Sequence, residues 1–275
     1  MRGYKLAIAA ILLFADIAAA AGPAPTLTDA ERSAVSLAAQ RGAMLYSYDQ
    51  VAWHGTDDML AKVERATFRS AGWIVDGPAD APELVFFDGD AAHPHAVDVA
   101  NFQNGKLTSS RVMGTGEQVE VSPLRKRMID ALKTARNAFV AQKVSLCSKE
   151  RPNTVVLPPE TPDGPILVYL LTPQPDLNTV SFGGNYRVEI APDGTAGKVH
   201  AFTKSCIMSP INGAKGKSAM LFITHLLDST PTEIHVFESL VARLPVAVAT
   251  ASNDYLWAVD GARIRPIEVL KKKPG

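Results

Sequence analysis

The sequence predicts an α+β fold built of mainly antiparallel sheets with a few helices, arranged as two lobes. Three observations lead there. A helix-rich start gives way to strand-like runs, then a helix, then strands again. Tight-turn residues at Asn104-Gly105, Pro192-Asp193-Gly194 and Asp260-Gly261 join neighbouring strands directly. The regular strand–helix alternation of a doubly wound parallel sheet is missing.

Each element has its own signal. Thr28-Asp29-Ala30-Glu31 is a capping box, and Ala34, Leu37, Ala38, Arg41, Leu45, Tyr48 and Ala52 follow at helical spacing. A long helix is therefore predicted to about Tyr48, with Gly55-Thr56-Asp57 starting a second one that runs to about Arg65. Strands are predicted at 73–76, 84–87 and 97–102, the last turning at Asn104-Gly105 into 106–113. Ser122-Pro123 caps a helix whose buried stripe is Leu124, Met128, Ala131, Leu132, Ala135 and Phe139. The Pro-rich stretch 153–165 marks the boundary between an N-terminal lobe, 28–150, and a C-terminal lobe, 153–270.

Beyond it, Ile166–Leu171 is a continuous apolar strand, and 180–190 reads as a strand broken by Gly183-Gly184. A run from Lys198 to Cys206 returns from the Gly194 turn. In the stretch 218–243 an apolar strand stops at Thr224-His225, and a helix start is written at Thr230 (cap), Pro231 (first helical position) and Glu233 (closing the box). Ile234, Phe237, Leu240, Val241 and Leu244 then face a core, and strands follow from Pro245, Tyr255 and Arg263.

Composition bounds the function. Lys+Arg and Asp+Glu both number 28, so the balanced chain has no global electrostatic reason to seek nucleic acid. Residues 1–21 read as a signal peptide. Arg2 and Lys5 precede a short apolar run, and Ala18–Ala21 offers small-residue cleavage sites. With that segment removed no membrane span is expected, and the periplasm or the cell exterior is the expected location. In such an oxidising space Cys147 and Cys206, the only cysteines, can form a disulfide or stand as two separate thiols.

Gly213–Ser218 ends like a phosphate-binding loop but has Ile211 where that loop needs glycine, and it precedes a strand, so it reads as a plain loop. Asp88, Asp90, His93 and His95 crowd one strand-end loop, either as a hydrophilic turn or as metal ligands. No Gly-x-Ser-x-Gly, Ser-x-x-Lys or His-Glu-x-x-His is present. That leaves His225 and His235, with Glu238 one helical position further round, as the candidate site. The two imidazoles could hold a metal or do acid–base work, or they could serve the scaffold.

The runs PTEIHVFESLVARLPVAVAT and LWAVDGARI, with GGNYRVEIAPDG upstream, resemble a family of exported bacterial proteins without an assigned activity. That resemblance implies export and little more. Over 180–265 the order strand, His-bearing link, helix, strand also resembles a degenerate JAMM/MPN-type metalloprotease domain. There His225 matches the first histidine, Leu227 stands where the second belongs, Asp228 replaces the proline, and His235 falls at the aspartate. The expectation is therefore an exported, non-catalytic protein that binds an envelope protein or a small ligand, with no cofactor. The alternative is a zinc-dependent hydrolase using His225, His235 and a third ligand such as Glu189 or Glu238. A further possibility is a small-molecule site between the lobes, lined by Trp53, Trp73 or Tyr186.

Overall fold

The structure is a computed structural model that describes residues 24–64, 68–90, 92–114, 116–211 and 220–270. The expected signal peptide, the Gly213–Ser218 motif and the basic C-terminus lie outside them. Helix α1 spans Asp29–Lys62 and begins as its sequence dictates: Thr28 accepts the Glu31 N–H, and the Glu31 carboxylate accepts the Thr28 N–H. It does not stop at Tyr48. A Cβ at Gly55 would sit 2.3 Å from Leu84 Cδ2, so this glycine admits a neighbour's side chain rather than ending the helix.

An antiparallel sheet follows, built from β1 (Gly72–Asp76), β2 (Glu83–Phe87), β3 (His95–Gln103) and β4 (Lys106–Val112), in that order. The short β5 (Val119–Glu120) pairs with the start of β3. Asn104 and Gly105 both take positive φ, 50° and 73°, the geometry of the tight hairpin their residue types predict. Helix α2 (Pro123–Ala141) starts on Ser122, whose hydroxyl accepts the Arg125 N–H.

The second sheet has the order β10-β9-β7-β6, from β6 (Asn153–Leu157), β7 (Ile166–Leu171), β9 (Tyr186–Ile190) and β10 (His200–Ala201). Two short strands, β8 (Thr179–Ser181) and β11 (Met208–Pro210), pair with each other. The last sheet joins β12 (Leu221–His225), β13 (Val246–Thr250), β14 (Tyr255–Asp260) and β15 (Arg263–Val269) in sequence order. Helix α3 (Glu233–Ala242) connects β12 to β13, which run parallel; the other named strand pairs are antiparallel. The fold is α+β.

Three apolar clusters fill the interior. One packs Leu45, Tyr48 and Met59 of α1 against Phe86, Tyr169 and Ile234. A second packs Met128, Leu132 and Phe139 of α2 against Ile74, Val168 and Val188. Both draw residues from each side of the Pro-rich stretch. The third surrounds Trp257, fully buried, with Val236, Val248 and Phe182. Helices α1 and α3 cross at Gly42, where a Cβ would lie 2.4 Å from that of Val236.

Cys147 and Cys206 are joined, with Cα atoms 5.4 Å apart. The bridge explains the break at Gly183-Gly184. Gly184 has φ +76°, and a Cβ there would lie 2.6 Å from Cys147 Sγ, while one on Gly183 would meet the backbone of Cys206 and Ile207. Among the described residues no helix is long and apolar enough to cross a membrane.

Candidate functional site

The strand–helix corner around His225 forms as its residues require, but with the helix start moved. α3 begins two residues later than Thr230-Pro231 suggests, with Thr232 as cap residue. The reciprocal partner is His235, whose Nδ1 lies 3.0 Å from both the Thr232 N–H and the Thr232 hydroxyl. Accepting the backbone N–H leaves Nδ1 without a proton, so the neutral ring carries its hydrogen on Nε2. Burial pushes His235 down to about 3, and the neighbouring His225 adds to the effect.

The two imidazoles do meet, with ring centroids 4.7 Å apart and planes nearly perpendicular. Both are 2% exposed. His225 Nε2 lies 2.9 Å from Asp228 Oδ2, and His200 Nε2 lies 3.9 Å from the same oxygen. Burial raises the Asp228 carboxyl, but the His225 hydrogen bond and the charges of the nearby imidazoles outweigh it and hold the group below its ordinary range. This set of contacts ties the end of β12 to the link before α3 and to β10.

The remaining candidates have other partners. Glu238, 2% exposed, takes the backbone N–H of Ser181 on β8 and senses Asp49 of α1. Glu189 is half exposed and pairs with Arg187 at 3.6 Å. In the loop after β2, Asp88 accepts the N–H groups of Asp90 and His95 and bonds the His95 ring, and Asp90 accepts those of Ala92 and His93. Those carboxylates fold the turn on itself. Among the described residues no group of three or more His, Cys, Asp or Glu side chains is placed to hold a metal ion. His225 and His235 thus lack a third ligand there, and no step through zinc follows.

Burial pushes the Glu238 carboxyl up to about 8, Asp49 adding to the effect while the Ser181 N–H opposes it. Unfolded, this group would ionise near its ordinary value of 4.5. The folded state therefore keeps a proton that the unfolded state releases, and stability falls as pH rises from about 4.5 to about 8. Glu238→Gln should remove that penalty. Urea melts of the variant and the parent are expected to agree near the acid end of this window. They should then diverge in favour of the variant by about 1.4 kcal/mol per pH unit. A constant difference across the window would contradict a buried neutral acid.

A cleft of about 400 Å³ lies along the other flank of α1. Asp49, Trp53 and Thr56 project from α1, Trp73 from β1 and Asn153 from β6, and the 173–177 segment after β7 closes the far side. The sequence singled out Trp53, Trp73 and Tyr186. The structure brings the two tryptophans to this one cleft and places Tyr186 elsewhere, its hydroxyl on the Ser145 carbonyl at 2.7 Å. Trp53 is half exposed and stacks one face on the His54 ring, centroids 5.0 Å apart.

Asp49 was missed. Its Oδ1 accepts from Asn153 Nδ2 at 3.3 Å. Burial pushes the carboxyl up to about 6 against the pull of Asn153 and Gln50. The sequence holds no signal for it, since a carboxylate next to Tyr48 reads as the edge of the helix's solvated face. Comparisons with protein-family models, with curated proteins and with solved structures find no match for this chain.

Proposed function

We propose that this is an exported, non-catalytic binding protein that holds a small molecule in the cleft between Trp53 and Trp73. The cleft carries the reading. It has the volume of a small-molecule site, combining two indoles with a few converging polar groups. Asp49 and Asn153 bond each other there, which sets two polar groups in place for recognition. The Cys147–Cys206 bridge supports residence in an oxidising compartment. The buried histidine pair then serves the scaffold, His235 as a helix cap and His225 as the anchor for Asp228.

The test uses tryptophan emission. The mature protein is titrated at millimolar concentration with a panel of neutral sugars, amino acids, carboxylates and alkylammonium salts. At least one class should shift the emission of the parent, while Trp53→Ala, with its fold checked by circular dichroism, should lose at least tenfold in affinity. Silence across the whole panel, or equal responses from parent and variant, would remove the cleft as the binding site.

A further inference from the structure

We infer that the cleft selects a small organic cation, an alkylammonium, with Asp49 as counter-charge and the indoles of Trp53 and Trp73 as its aromatic faces. This rests on the cleft reading above and names its ligand class. The charged residues lining the cleft are Asp49 and Asp176, both acidic; none of its lining residues is Lys, Arg or His. An anion would meet repulsion and no donor of positive charge.

Asp49 itself is the second observation. It is partly buried, its hydrogen-bond partners Asn153 and Gln50 are neutral amides, and among the described residues it forms no ion pair. A partly buried carboxylate without a cationic partner has lost some of its hydration, and a cation entering beside it offsets that loss. Tryptophan is the side chain whose ring face attracts a cation most strongly, and alkylammonium groups are bound this way. Asp176 is already turned onto its own loop, accepting the Asn178 N–H at 2.7 Å, and sits at the exposed rim. A neutral sugar would be served by the amides alone and would leave Asp49 unpaired.

The inference has a pH signature. Asp49 faces Gln50 on its own helix, Asn153 on β6 and Glu238 on α3, with Asp176 also lining the cleft. Glu238 holds its proton until about 8. Asp49 therefore sets the charge, and protonating it below about 6 removes the counter-charge. Affinity for a permanently charged ligand should be level from that pH up to about 8, where Glu238 ionises, and fall by up to about tenfold per unit below about 6.

The probes are choline and hexyltrimethylammonium, whose charge does not titrate, with neohexanol as the uncharged isostere of choline and glucose as a neutral sugar. Binding is followed by calorimetry and by tryptophan emission. The mature parent should bind both cations, and neohexanol at least tenfold more weakly than choline. Asp49→Asn should lose at least tenfold for the cations and lose the pH dependence, which separates Asp49 from His54 beside Trp53. Its melting temperature should be unchanged or higher, since the substitution removes a desolvated charge. Equal binding of choline and neohexanol, or cation binding indifferent to Asp49→Asn, would overturn the inference. If glucose or another uncharged member of the earlier panel binds and neither cation does, the ligand class is wrong and the cleft reading stands. If no member binds, both fail.

Discussion

Arg187→Met is expected to destabilise the protein by about 3–5 kcal/mol, measured as the loss of urea unfolding free energy at neutral pH. Arg187 on β9 reaches across to Glu233 at the start of α3 and forms an ion pair with it. Glu233 is 5% exposed, and the Tyr169 hydroxyl donates to the same oxygen at 2.9 Å. Arg187 also lies over the Phe202 ring, 5.8 Å from its centroid. Burying two charges is expensive in itself, so the pair as a whole adds little net stability. Removing one member leaves a carboxylate with a single neutral donor in a dry site, and that is the large effect. One control follows. Arg187→Met combined with Glu233→Leu should recover most of the loss. A single variant as stable as the parent would mean that solvent already satisfies Glu233.

Reducing the Cys147–Cys206 bridge should cost about 4 kcal/mol, since it closes a loop of 59 residues in the unfolded chain. Cys206 is exposed, so dithiothreitol should reach it without prior unfolding. The parent's urea midpoint should therefore fall in reductant to that of the Cys147→Ser, Cys206→Ser double variant. That variant should ignore the reductant. The bridge ties the segment after α2 to the loop after β10 and packs on the Gly183-Gly184 turn, so two elements should loosen together. Midpoints that coincide with and without reductant would show that the unfolded chain gains nothing from the opened loop.

Much of this architecture could be read from the chain because it is written locally. The Thr28–Glu31 box, the Asn104-Gly105 turn and the Ser122-Pro123 start each appear where neighbouring residues place them. The misreadings share a cause. Gly55-Thr56-Asp57 looked like the start of a second helix, but Leu84, distant in sequence, fills the space above Gly55 and offsets the roughly 1 kcal/mol a mid-helix glycine costs. Thr230 and Thr232 are both good cap residues. The choice between them comes from His235 bonding Thr232 and from Glu233 meeting Arg187 and Tyr169, none of which shows in a linear window. Strand β6 was hidden because prolines follow Asn153–Leu157 so closely that the whole stretch read as linker.

The candidate site divided the same way. Spacing alone brought His225 and His235 to one corner, since a strand end and the first turn of the next helix must be neighbours. Glu238 followed its own turn of α3 to β8. The cleft draws on α1, β1, β6 and the 173–177 segment, and only its two tryptophans stood out in the sequence.

Helix α1 has one further consequence. At 1.5 Å per residue its 34 residues form an unjointed rod about 51 Å long. It is pinned to α3 at Gly42 and to β2 at Gly55, on either side of Asp49 and Trp53. One wall of the cleft is therefore held rigid, while the Pro173–Leu177 segment that also lines it is loop, with Leu177 76% exposed. Motion at the cleft mouth should then fall on the nanosecond-to-microsecond timescale of a surface loop.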